Sequence, residues 1–300
     1  MKNSFNARST TDEVLKGVDL AGKTVLLTGS NSGLGFETLQ QMTSHGAHVI
    51  AAARTLTTAR EACAKIRGST TPLACDLSSL SSVRQAIAQV RDSGRHVDIV
   101  IANAGIMAPP KLEQIYGLEK QFVVNYLSHF MLINGILDVM PQHAGARIVI
   151  LSSSAHRKAP KVGIDFDNLS GARNYKPWVF YGQSNVARIL FALALSRRLS
   201  SNGITVNTLH PDVIADTNLS RHLGLLVKAI VPVMRLFTKT VPQGAATQCY
   251  LAAHPDVASV TGQYFSDCKI AEPSPAARDD AIGERLWTLS EQLVSAHGGH

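Results

Sequence analysis

Tyr181, Asn185 and Arg188 stand at i, i+4 and i+7 of an apolar stretch, so a helix there puts all three on one face. A phenol can donate or accept a proton, and a cation beside it favours its ionised form. A lysine one turn after the tyrosine would supply that cation. This chain has asparagine at 185, which forms hydrogen bonds but carries no charge. A close cation shifts a neighbouring acid by about 1–3 pKa units, so its loss removes roughly ten- to a thousand-fold of the base form. Helical side chains lean toward the N-terminus, so the Arg188 guanidinium could reach back toward Asn185 and return the charge. The plainer reading is an ordinary exposed or ion-paired arginine. Oxidation of an alcohol needs the base form of the tyrosine, and reduction of a carbonyl needs the acid form. A weakened cation therefore handicaps oxidation more near neutrality.

The elements that must hold such a site read as alternating strands and helices. Strand candidates are 23–28, 47–53, 71–75, 97–105, 146–153, 203–211 and 262–266. Helical patterns fill 33–45, the stretch through 67, 79–91, 112–140, 178–199, 242–253 and an amphipathic tail at 275–295. Apolar strands separated by helices predict a single doubly wound α/β domain, a Rossmann-type seven-stranded parallel sheet covered on both faces. The chain of 300 residues is 45% hydrophobic and 17% charged, enough to bury one large core. We read 1–300 as one domain with an N-terminal extension at 1–20.

TGSNSGLG (28–35) ends the first strand and opens the first helix. Gly29, Gly33 and Gly35 allow a sharp turn and close approach to a pyrophosphate, with Ser30, Asn31, Ser32 and Leu34 between them. The second strand ends in Ala53 and Arg54, not in a carboxylate. A neutral residue followed by arginine suits a 2′-phosphate, and so NADP(H) over NAD(H).

The net charge of +7 suits an anionic ligand, but scattered Lys and Arg without a long basic run argue against nucleic acid. Cys63, Cys75, Cys249 and Cys268 lack metal-ligand spacing and read as reduced thiols, and no metal site is expected. The N-terminus lacks an apolar signal core, no run reads as long enough to span a membrane, and a cytosolic protein is expected.

With these motifs in order, the chain resembles the short-chain dehydrogenase/reductase family. TGSNSGLG, CDLSS (75–79), ANAG (102–105), SSSAH (152–156) and LEKQFVVNYLSHF (118–130) carry the likeness, which extends to YFSDC and the PSPAARD tail. The last of these point to the retinol-dehydrogenase-like branch and the soluble relatives of chloroplast-envelope enzymes. The resemblance implies that Asp76, with Leu77, contacts adenine and that Asn103, Ala104 and Gly105 line the cofactor edge. It implies Asn125 as the catalytic asparagine, which positions a helix carbonyl and a relay water, Ser153 as the hydroxyl on the substrate oxygen, and Tyr181 as the proton carrier. Ser152 or Ser154 takes the serine role if the register slips.

Two departures stand out. HPDVIADT (210–217) has aspartate where the family has glycine, near the expected cofactor contacts Pro211 and Val213. YxxxKxxN is rewritten as YxxxNxxR, with Arg188 where relatives carry a small polar residue. An apolar segment within about 211–240 falls where the family's substrate lid lies, and Met107, Tyr175 and Trp178 are candidate pocket walls. The expected activity is hydride exchange between NADP(H) and a hydrophobic carbonyl or alcohol. The rivals are a catalytically weak cofactor-binding sensor and an altered, non-redox chemistry. The resemblance also implies a homodimer or homotetramer built on the two long helices that flank the fifth strand.

Overall fold

A computed structural model describes residues 4–142, 145–212 and 238–298. Strand β1 (Thr24–Thr28) is buried at every position, as a strand flanked on both edges and covered on both faces must be. It pairs in parallel with β2 (His48–Ala53), Val25 opposite Val49, and β2 pairs in turn with β3 (Thr70–Ala74). The other edge of β1 takes β4 (Ile99–Ala102), Leu26 opposite Val100. After a two-stranded hairpin, β5 (Gln114–Ile115) and β6 (Leu118–Glu119), the main sheet continues outward from β4 through β7 (Arg147–Leu151), β8 (Thr205–Leu209) and β9 (Tyr264–Ser266).

The sequence pattern gives seven parallel strands, and the sheet has eight. Asp267 and Cys268 both adopt positive φ, 53° and 59°, and turn the chain back so that β10 (Lys269–Ala271) pairs antiparallel with β9. That turn carries no glycine, so no local signal announced it.

Alternate residues of β1 face opposite layers. Val25 and Leu27 pack with α1 (Thr11–Leu15), α2 (Gly33–Ser44) and residues of the later helix Val241–Ala253, whereas Leu26 joins the core that contains the helix Leu80–Asp92. Helix α3 (Leu56–Cys63) follows β2, and α4 (Leu80–Asp92), α5 (Ser128–Ile136) and α6 (Pro177–Arg198) build the second layer. Helices α7 (Val241–Ala253) and α8 (Asp280–Gly298) complete the described set.

The long helix expected over 112–140 begins later. Tyr116 and Gly117, at φ 56° and 72°, close the β5–β6 hairpin, and a π turn (Phe122–Leu127) then leads into α5. The run Phe122–Val139, 18 residues with mean hydropathy 1.4, is long and apolar enough to cross a membrane, contrary to the sequence reading. It is 72% buried inside the protein, as the core helix of a sheet-based domain is.

Helix α8 covers the two helices that the resemblance offers to a partner copy. Trp287 packs edge-on against Phe130 of α5 (centroids 5.0 Å) and tilted on Phe191 of α6 (5.8 Å), and Tyr126 Oη lies 2.6 Å from Ser290 Oγ.

Candidate active site

The glycine loop is built for close approach. A Cβ on Gly35 would sit 2.0 Å from the Gly29 carbonyl oxygen, and Gly29 and Gly33 hold φ of 70° and 52°. Ser32 caps α2 without a side-chain hydrogen bond, so the helix opens with backbone N–H groups uncapped by its own side chain. Asn31 and Ser32 face outward, whereas Ser30 turns inward and donates to the Ala52 carbonyl at 3.1 Å. Leu34 packs into the core beneath the loop. Arg54 is exposed directly beyond β2, and Ala53 is buried.

Past β3, Asp76 is held by Ser78, whose N–H and Oγ both donate to its Oδ1 (2.9 and 2.7 Å). Leu77 is core, and its carbonyl accepts from Ser128 Oγ at 2.7 Å. Asn103 donates to the Thr28 carbonyl at 2.9 Å, which ties the ends of β1 and β4 together. These ends border the crevice where strand order reverses, the usual ligand position in such sheets. A dinucleotide fits this donor set, through the uncapped helix start, the cradle that a Cβ would fill and a buried acceptor at Asn185.

Ser153 is distinguished from its neighbours by what each hydroxyl does. Ser152 is buried and donates to the Asn185 carbonyl at 3.2 Å; Ser154 is exposed. Ser153 Oγ accepts from the Ala155 N–H at 3.2 Å, which leaves its proton for a substrate oxygen. The turn that follows (Ser154–Lys158) lies directly against α6 because residue 182 is glycine. A Cβ there would meet Ala159 N at 2.6 Å and the Ala155 carbonyl oxygen at 2.7 Å. Gly182 thus brings the serine turn against the tyrosine helix.

Tyr181 is half-buried, with Trp178 edge-on at 5.9 Å and Lys158 Nζ 4.3 Å above the Trp178 ring. The hydrogen bonds that reach Tyr181 from described residues end on its carbonyl, from Ser184 Oγ (2.9 Å) and Asn185 Nδ2 (2.8 Å). Asn185 is fully buried and its Oδ1 has no partner among the described residues.

Asn125, inside the π turn, spends its side chain on the 104–106 loop. Its Oδ1 accepts from Ile106 N–H (2.8 Å), and its Nδ2 donates to the Ile106 carbonyl and to Ser184 Oγ, both at 3.0 Å. Its carbonyl accepts from Arg188 Nε at 2.6 Å and from His129 Nδ1 at 2.9 Å. Arg188 Nη2 also donates to the Ala104 carbonyl. The guanidinium therefore points to β4 and the π turn, not back to Asn185. Two carbonyls offer a buried donor more than one amide oxygen can.

These bonds close a ring. Ala104 N–H donates to Thr28 Oγ1 (3.0 Å), Thr28 Oγ1 donates to His129 Nε2 (2.9 Å), and His129 Nδ1–H donates to Asn125, where Arg188 returns the path to Ala104. That tautomer is the neutral one, and burial together with the nearby Arg188 charge pushes the His129 pKa down to about 3. Burial also lowers the Arg188 pKa to about 10, with Tyr181 opposing the shift. His129 and Thr28 were not read from the sequence as site residues. Their partners lie far away in the chain, and a lone histidine on an apolar helix gives no signal of them.

The aspartate of HPD sits at φ 62°, a conformation Asp tolerates better than most residues. Its carboxylate pairs with His210 Nε2 (2.7 Å) and Lys239 Nζ (2.9 Å), and Lys239 also pairs with Asp267. Burial works against ionisation there, but the bonds from His210 and Lys239 hold the Asp212 carboxyl well below the usual range. Pro211 is half-buried beside it. Val213 and the apolar segment through 237 lie outside the described residues. Of the proposed walls, Tyr175 gives its hydroxyl to the Pro109 carbonyl (2.8 Å), whereas Trp178 stays exposed beside Tyr181.

Comparison with known proteins agrees with this arrangement. Residues 23–166 match the short chain dehydrogenase family profile. The chain is 39% identical to short-chain dehydrogenase TIC 32 B, chloroplastic, of Brassica napus (98% of this chain, 96% of the relative) and 38% identical to human retinol dehydrogenase 14 (91% and 86%). Among solved structures, an uncharacterized protein from Mycobacterium Paratuberculosis superposes with a TM-score of 0.75 at 31% identity (93% and 96%). A blue fluorescent protein from a metagenomic library, in complex with NADPH, gives 0.64 at 25% (82% and 96%). With the glycine cradle, the serine turn and the tyrosine helix in family order, the chain belongs to the short-chain dehydrogenases, a family of oxidoreductases, within the retinol-dehydrogenase-like branch.

Proposed function

We propose that this protein is an NADP(H)-dependent oxidoreductase that moves hydride between the nicotinamide and a hydrophobic carbonyl or alcohol carbon. The observation that carries the reading is the packing of the serine turn against the tyrosine helix at Gly182, with Ser153 Oγ engaged only as an acceptor in the described hydrogen bonds. When bound, the reduced cofactor supplies the hydride. Ser153 donates a hydrogen bond to the substrate oxygen, and the Tyr181 hydroxyl gives its proton to that oxygen as the carbon is reduced. The reverse direction needs Tyr181 to take the proton back. Exposed Arg54 after a neutral Ala53 supports the 2′-phosphate form, as does the NADPH-bound structural neighbour. Trp178 beside Tyr181 supports an apolar substrate, as does the retinol dehydrogenase named among the relatives.

The test is NADPH consumption by purified protein across a panel of hydrophobic aldehydes and ketones, with NADH in parallel. Turnover with NADPH favoured over NADH is expected. Asn185 favours one other reading, a cofactor-binding protein of weak activity, and NADPH binding without any turnover in that panel would select it.

A further inference from the structure

Arg188 is the most unusual charge in the described molecule. It is 5% exposed, and among the described residues no carboxylate oxygen lies within 4.0 Å of it. A buried cation without a counter-ion is costly, and such groups cluster at functional sites. Its two named bonds go to neutral carbonyls, which orient it without cancelling its charge. Room for it comes from Gly105, where a Cβ would sit 3.2 Å from Nη2 and 3.4 Å from Nη1. The titratable groups that interact with it among the described residues are His129 on α5, which burial keeps neutral, and Tyr181 on its own helix.

Asn185 shows the complementary state. Its amide donates to Tyr181's carbonyl, and its buried Oδ1 waits for a donor. A ribose hydroxyl is a donor of that kind, whereas a lysine at 185 would itself be the donor.

We propose that this chain divides between two residues the work one lysine would do: Arg188 fixes a positive charge behind the Tyr181 helix, and Asn185 Oδ1 accepts a hydrogen bond from the ribose beside the nicotinamide. Arg188 is a positioning residue and acts through Tyr181 and the Asn125 carbonyl. Arg188 and His129 both donate to that carbonyl, so a relay water there would have to compete with two bonds already made. The inference rests on the oxidoreductase reading above.

The experiment measures oxidation and reduction against pH for wild type, R188Q, R188K, N185L and N185K, with NADPH affinity followed by protein fluorescence. R188Q should lose about ten- to a thousand-fold of the oxidation rate near neutrality and regain it as pH rises, with NADPH affinity within about threefold. R188K should recover part of that rate. N185L should weaken NADPH binding about tenfold and leave the pH profile in place. N185K puts a second cation beside the first and should bring no gain. A wild-type pH profile in R188Q, unchanged NADPH affinity in N185L, or a gain of about tenfold in N185K would each overturn the proposal. If R188Q does not fold, the N185K and N185L results still decide. If wild type binds NADPH and turns nothing over, the oxidoreductase reading fails and takes the Arg188 half with it. The N185L titration then judges the Asn185 half alone.

Discussion

Arg188 and Arg198 lie on the same helix and spend their charge in opposite ways. Arg188 is buried, bonds only carbonyls and closes a ring through α5 and two strand ends. Arg198 is part-exposed, pairs with Glu284 through Nη1 (3.0 Å) and Nη2 (2.5 Å), and stacks its guanidinium 3.9 Å over Trp287. The middle of α6 holds a charge that the solvent cannot reach. Its C-terminal end holds α8 with pairs that water already half-satisfies. Desolvation makes the first costly, and screening makes the second cheap and replaceable.

The largest effect that sharpens this contrast is a pH dependence of stability. Burial keeps both His129, at about 3, and His156, at about 4, neutral in the folded chain. Unfolded histidine titrates near ~6.5. Above that value neither state binds the protons and these groups add no pH dependence. As pH falls from ~6.5 toward 4, the unfolded chain binds protons that the folded chain refuses, so stability drops. The loss is about 2 kcal/mol for each histidine at about pH 5, or about 4 together. Urea denaturation at pH 7, 6 and 5 should show it. Glu284, whose carboxyl the Arg198 hydrogen bonds lower, gives stability that is lost only at more acid pH, below its unfolded value. Equal stability at pH 7 and 5 would break the contrast, because the buried groups packed around α6 would then be as tolerant of charge as its exposed C-terminal pairs.

Gly182→Ala comes next. The added methyl meets backbone atoms at 2.6–2.9 Å, so the serine turn must move. Overpacking of this kind costs about 1–3 kcal/mol. Activity should fall further, about a hundredfold, because Ser153 shifts relative to Tyr181. NADPH affinity should hold. A variant that loses stability and keeps its turnover would place the substrate hydroxyl elsewhere.

Much of the site's frame was readable. The strand ends and the glycine loop follow from local patterns, apolar runs and glycines at turns, whereas the roles given to Ser153 and Tyr181 came from the family resemblance. What escaped the sequence depended on distant partners. The lean rule sent Arg188 toward the N-terminus, but only the folded positions of Ala104 and Asn125 decide which oxygens it meets. His129 gains its meaning from Thr28, across the sheet. The β9–β10 turn uses Asp267 and Cys268 at positive φ, where glycine would have announced it. Where the C-terminal helix docks was hidden for a related reason. An amphipathic tail reads the same whether it covers its own core or extends from it, and here Trp287 and Ser290 bring it down on α5 and α6.

The smallest expected effect is at Arg198. Arg198→Ala removes a two-point pair to Glu284 and the stack on Trp287, both at the surface. Exposed ion pairs contribute about 0–1 kcal/mol, and an exposed cation–π contact about 0.5–1. Arg197 still pairs with Asp280 and Glu284 and keeps α8 docked. The melting temperature should therefore fall by only a few degrees, less at high salt, and the pH profile of turnover should not move. A change in that profile would mean that charge at the outer end of α6 reaches Tyr181, and the two arginines would then belong to one electrostatic system.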